Sequence, residues 1–94
     1  MENEFDKIEP IIESIVLGKV IKEYRKASGW SQSKLADKLF FTKSTVCDWE
    51  KGRTEPNFET LTKLIKLLHI DVIKLFGLLS ILSLLGDDLV EFLF

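Results

Sequence analysis

Residues 30–50, WSQSKLADKLFFTKSTVCDWE, decide the fold. Two capping side chains, Ser31 and Thr42, each follow an aromatic residue, Trp30 and Phe41, and each precede a short amphipathic run. A Ser or Thr oxygen in that place accepts from a first-turn N–H that has no intrahelical partner, an interaction of about 0.5–2 kcal/mol. The preceding aromatic and the apolar residue four beyond the cap, Leu35 or Val46, form a hydrophobic staple that sets the entry angle of the chain. Helices are therefore predicted over 31–39 and 42–50. Only Phe40 and Phe41 separate the first helix from the second cap, so the two cross steeply around a tight turn. Val46 and Trp49 then face Leu35, Ala36 and Leu39, while Ser44, Cys47 and Asp48 fall on the opposite side with Lys43 at its edge.

The same start pattern recurs downstream at Pro56-Asn57 with Leu61 and at Ile70-Asp71 with Leu75, which predicts helices over 57–68 and 71–76. Residues 51–56 between them read as a loop, with Gly52 supplying a positive φ after a helix end and Pro56 preventing continuation. Upstream, Ile8, Ile11, Ile12 and Ile15 make one helical stripe and Leu17, Val20, Ile21 and Tyr24 another. They fit one long helix or two abutting ones, ending near Ser28-Gly29. Pro10 belongs in a first turn, which places the start between Asp6 and Glu9. No stretch alternates as a strand does, so the chain is expected to be all-α. The expected organisation is an acidic helical extension over 1–16, a five-helix unit over 17–76 and a hydrophobic helical segment over 77–94.

Charge is distributed unevenly. The net charge of −2 hides a central segment, residues 14–76, at +5 between ends at −4 and −3. Such a segment can meet phosphates. One His and one Cys leave no set of ligands for a typical zinc site and few general bases, and the serines have no neighbouring His. No catalysis, metal or cofactor is expected. A single Cys makes no internal disulfide, no signal peptide is evident, and the longest weakly charged apolar stretch, Leu75 to Leu85, falls short of the roughly 20 residues a bilayer requires. A cytoplasmic protein without a membrane span is the expectation.

The polar outer face of the 42–50 helix suits a major groove about 12 Å wide, and its N-terminus, with Gln32 and Ser33 at the start of the preceding helix, can donate to phosphates. Residues 18–76 resemble the phage repressor/Cro-type (Xre-like) helix-turn-helix family of bacteria and phages. Gly18 to Arg25 is similar to its first helix, Trp30 to Ala36 to its second, Thr42 to Gly52 to its recognition helix with the closing Trp49-Glu50-Lys51-Gly52, and Pro56 to Leu61 to its fourth helix start. The resemblance implies a five-helix DNA-binding domain, usually dimeric on a partly palindromic site. It assigns Gln32 to a phosphate contact, Lys43, Ser44 and Asp48 to positions facing bases, and Thr45 and Arg53 to positions near the DNA backbone. Arg25 and Glu50 match a partly buried ion pair with an orienting role, the alternative being two separate solvated charges.

This chain departs from that pattern at three places. Phe40 stands where many members have Gly, so either the turn avoids a positive φ or a bulky side chain carries a conformational penalty; its ring is expected to cover an apolar face. Ser44 replaces a longer side chain. Asp48 places an anion where a cation or amide is frequent: it can accept from cytosine N4, or simply pair with Lys51 on its own helix. Cys47 reads as a small filler rather than a thiol switch, His69 as a complement to a helix dipole, and Trp30 and Trp49 as core and staple residues.

Residues 78–94 are too apolar for a free tail and, with Ile8, Ile11, Ile12 and Ile15, are expected to build a homodimer interface; the alternative is that both ends enlarge one monomer's core. The function expected is a sequence-specific regulator of transcription on double-stranded DNA, a dimeric repressor. An antitoxin or anti-repressor gripping a protein partner through its C-terminal segment is the alternative.

Overall fold

The computed structural model describes the backbone of residues 4–81 and the side chains of 13–81. Within them lie five helices and no strand: α1 over Glu4–Ala27, α2 over Gln32–Leu39, α3 over Lys43–Glu50, α4 over Phe58–Leu68, and α5 over 72–81. All four expected caps are made. Ser31, Thr42 and Asn57 accept from the N–H of Lys34, Thr45 and Thr60, and Asp71 Oδ1 accepts from Lys74 at 3.1 Å.

A single core holds the helices together. Leu17 and Ile21 of α1 meet Leu35, Ala36 and Leu39 of α2, Val46 and Trp49 of α3, Leu64 and Leu68 of α4, and Leu75 of α5, all buried. The tightest approach is backbone to backbone: a Cβ built on Gly18 would lie 2.2 Å from the Trp49 carbonyl oxygen and 2.9 Å from that of Glu50. Helix α1 therefore rests directly on the C-terminal end of α3. Gly52, at φ 73°, makes a second such approach, since a Cβ there would stand 2.8 Å from Ile15 Cγ1. Ser14 Oγ also donates to Glu55, tying α1 to the loop after α3.

Several expectations need correction. Helix α1 is continuous from Glu4, so Pro10 lies beyond the first turn; lacking an N–H, it leaves the Asp6 carbonyl without its intrahelical donor. The last helix runs on through Gly77 instead of stopping at 76, because a single glycine lowers helix propensity by only about 1 kcal/mol. Phe41 leans edge-on against the buried Trp49, with ring centroids 5.2 Å apart, while the rest of its side chain stays exposed. Trp49 is buried; Trp30 is half-buried, with Lys34 Nζ 5.4 Å from its ring centroid. His69 ends α4 with a left-handed backbone at φ 55°, its N–H donating to the Ile65 carbonyl.

Phe40 covers nothing. It closes α2 in the left-handed region, at φ 60° and ψ 37°, and is 95% exposed. The turn must reverse within two residues for α3 to reach the core, and the left-handed conformation does this whichever residue is present. A side chain there costs about 1–2 kcal/mol. Phe40→Gly should therefore raise stability by about 0.5–1 kcal/mol after the extra flexibility of unfolded glycine is deducted. Thermal unfolding should shift upward by a few degrees; a downward shift would mean that the ring makes a stabilising contact.

Candidate nucleic-acid interface

Helix α3 turns Val46, Trp49 and Glu50 inward and leaves Lys43 and Ser44 exposed, with Cys47 and Asp48 half-buried beside them. Thr45 lies at the flank, its N–H donating to Thr42 Oγ1 at 3.3 Å and its hydroxyl 3.0 Å from the same oxygen. Ser33 is exposed in the first turn of α2 and Gln32 half-buried. Two helix N-termini, with their unpaired N–H groups, are thus flanked by polar side chains.

Beneath this surface, Glu50 gathers the elements together. Arg25 donates to it in a fork, Nε to Oε2 at 2.6 Å and Nη2 to Oε1 at 3.0 Å, while Arg25 Nη1 donates to the Trp30 carbonyl at 2.8 Å. Gln32 Nε2 adds a third donor to Glu50 at 3.1 Å. The hydrogen bond from Arg25 to Glu50 raises the guanidinium pKa, against the opposing effect of burial. A raised folded-state pKa adds stability that is complete at physiological pH and is lost only in strong alkali, so the guanidinium introduces no pH dependence in the working range. The network joins α1, the start of α2 and the end of α3. One N–H of the Gln32 amide is engaged with Glu50, leaving the second donor of that group for an outside acceptor.

Asp48 does not pair with Lys51 among the described residues. Its partner is Arg53, with Arg53 Nη1 3.6 Å from Asp48 Oδ1, both partly exposed. The chain turns back at Gly52, and the Arg53 N–H donates to the Asp48 carbonyl at 2.9 Å. The structure thus brings Gln32 to the Arg25–Glu50 pair and Arg53 to Asp48, and leaves Lys43, Ser44 and Ser33 facing outward. Gly18 escapes the sequence reading, although a glycine amid helix formers was a signal that something approaches closely.

No helix among the described residues is long and apolar enough to cross a membrane, and no group of three potential metal-ligating side chains occurs among them.

Two short capped helices crossing at a tight turn inside a five-helix core define a helix-turn-helix protein. The chain belongs to the helix-turn-helix family, of phage repressor/Cro (Xre-like) type: the family model matches residues 21–75. It is similar to the SPbeta prophage-derived uncharacterized HTH-type transcriptional regulator YonR of Bacillus subtilis (strain 168), with 36% identity over 55 residues covering 58% of this chain and 51% of that protein. It is also similar to the HTH-type transcriptional regulator ImmR of the same organism, with 33% identity over 61 residues covering 65% and 48%. The chain spans about half the length of these curated relatives. No solved structure matches it.

Proposed function

We propose that the chain is a transcriptional regulator that binds double-stranded DNA by sequence, acting as a dimeric repressor in the cytoplasm. The observation that carries this reading is the outward face of α3: Lys43 and Ser44 are exposed at its N-terminus, next to the start of α2. An α-helix fits the major groove, base edges there are read by such side chains, and the α2 N-terminus is suited to hold phosphates. Both relatives are named as transcriptional regulators.

Dimerisation is supported by α5. Ile73, Phe76, Gly77, Ser80 and Ile81 recur at helical spacing on one side, Ile73 is 87% exposed, and no charged residue interrupts them. A second copy covering this stripe would present two recognition helices for half-sites about 34 Å apart. The expected interface continues into residues 82–94, which, like the side chains of Ile8, Ile11 and Ile12, lie outside the described residues. The same stripe favours a second reading, an antitoxin or anti-repressor that holds a protein partner.

Footprinting on the DNA upstream of the protein's own reading frame tests the assignment. The expected result is a protected site with two half-sites, bound by two chains in sedimentation, with affinity falling steeply as salt rises. Lys43→Ala should lower affinity for that site about tenfold while affecting random duplex less, whereas Gln32→Ala should weaken both alike. Equal losses from Lys43→Ala would remove Lys43 from base recognition.

A further inference from the structure

The anion on the recognition face is the feature the proposed function leaves unexplained. A lone carboxylate at Asp48 would repel phosphates, yet here it is answered by a cation from the next segment. Arg53 meets Asp48 through its backbone and through its side chain. Its backbone N–H is bound to the Asp48 carbonyl at 2.9 Å, across the turn that Gly52 makes at φ 73°. Its guanidinium lies 3.6 Å from the Asp48 carboxylate. About two-thirds of the Arg53 side chain remains exposed, as does 39% of Asp48, so most of the guanidinium N–H groups and part of the carboxylate face outward. The C-terminal part of the recognition face therefore presents an acceptor directly beside a forked donor.

We infer that Asp48 and Arg53 act as one unit that reads a single C·G base pair, Asp48 accepting from cytosine N4 and Arg53 donating to guanine O6 and N7. This inference rests on the DNA-binding reading above. The major-groove edge of a C·G pair carries one donor next to two adjacent acceptors, the complement of a carboxylate beside a guanidinium fork. An A·T pair places its donor between two acceptors, where a fork cannot span both. A free arginine would settle on any phosphate, and a free carboxylate would accept from adenine N6 as well as from cytosine. Held together, the two discriminate. Asp48 thereby orients Arg53 in addition to touching the base, and its charge is offset before DNA arrives.

The test is selection from a randomised duplex pool by the full chain and by four variants: Asp48→Ala, Arg53→Ala, Arg53→Lys and the double alanine variant. The wild-type protein should select one strict C·G position in each half-site, disfavouring other pairs there by about ten- to hundredfold. Both single alanine variants should lose that preference, and the double variant should lose no more than either. Arg53→Lys should keep most of the affinity but lose the preference, because an ammonium cannot fork across O6 and N7. If Arg53→Ala weakens all duplexes equally and leaves the C·G preference intact, Arg53 is a backbone contact and the unit does not exist. Loss of the preference in Asp48→Ala alone would likewise overturn it. A wild-type protein that enriches no duplex would overturn the DNA-binding reading itself, an outcome distinct from enrichment without a strict C·G position.

Discussion

Replacing Gly18 by alanine is expected to cost about 3 kcal/mol of folding stability, although alanine is the better helix former by about 1 kcal/mol. The added methyl would enter a space of 2.2 Å in front of the Trp49 carbonyl oxygen and of 2.9 Å in front of that of Glu50. Neither obstacle is a side chain that can rotate away. Both belong to the backbone at the end of α3, so α1 must lift away from the recognition helix. That displacement also disturbs the fit of Gly52 against Ile15 and the reach of Arg25 to Glu50. With a total stability of about 5–15 kcal/mol for a small domain, the loss is a large fraction. Thermal unfolding followed by circular dichroism should show a midpoint lowered by more than about 10 °C. An unchanged midpoint would mean that α1 and α3 are not in backbone contact.

Removing Glu50 should be comparably severe. Glu50→Ala takes away the acceptor of two Arg25 donors and of Gln32, leaving a buried guanidinium with the Trp30 carbonyl as its remaining acceptor among the described residues. Breaking a buried pair in this way costs about 3–5 kcal/mol, much of it from the stranded charge. The double variant Arg25→Met, Glu50→Leu removes both charges together and should recover most of the stability, because a buried ion pair gains little over apolar side chains of similar volume. DNA affinity should behave differently. In the double variant Gln32 has lost the carboxylate that holds it, so the fold returns while binding to all duplexes stays weakened. Urea unfolding and duplex titration on the same three proteins separate the two effects. Full recovery of binding would show that the network serves stability alone.

Much of the helical framework was legible because its determinants are local. A Ser, Thr, Asn or Asp oxygen reaches an N–H three residues away, so Ser31, Thr42, Asn57 and Asp71 announce α2 to α5 without reference to the rest of the chain. Gly52 was equally plain, since a helix end followed by a reversal calls for a left-handed residue. The same local logic misplaced the start of α1 and the end of α5: Pro10 and Gly77 weaken a helix without necessarily ending it. For Asp48 the sequence offers Lys51 as the alternative to a base contact, whereas the turn at Gly52 brings Arg53 beside it from outside the helix.

What the residues determined alone was a set of capped amphipathic helices, their order, and a polar face on α3, since capping reach and helical period are properties of neighbouring positions. Which backbones touch was settled only when the helices packed. Gly18 lies under α3, and Phe40 stands in solvent with a strained backbone, because close approach and exposure depend on where distant segments come to rest.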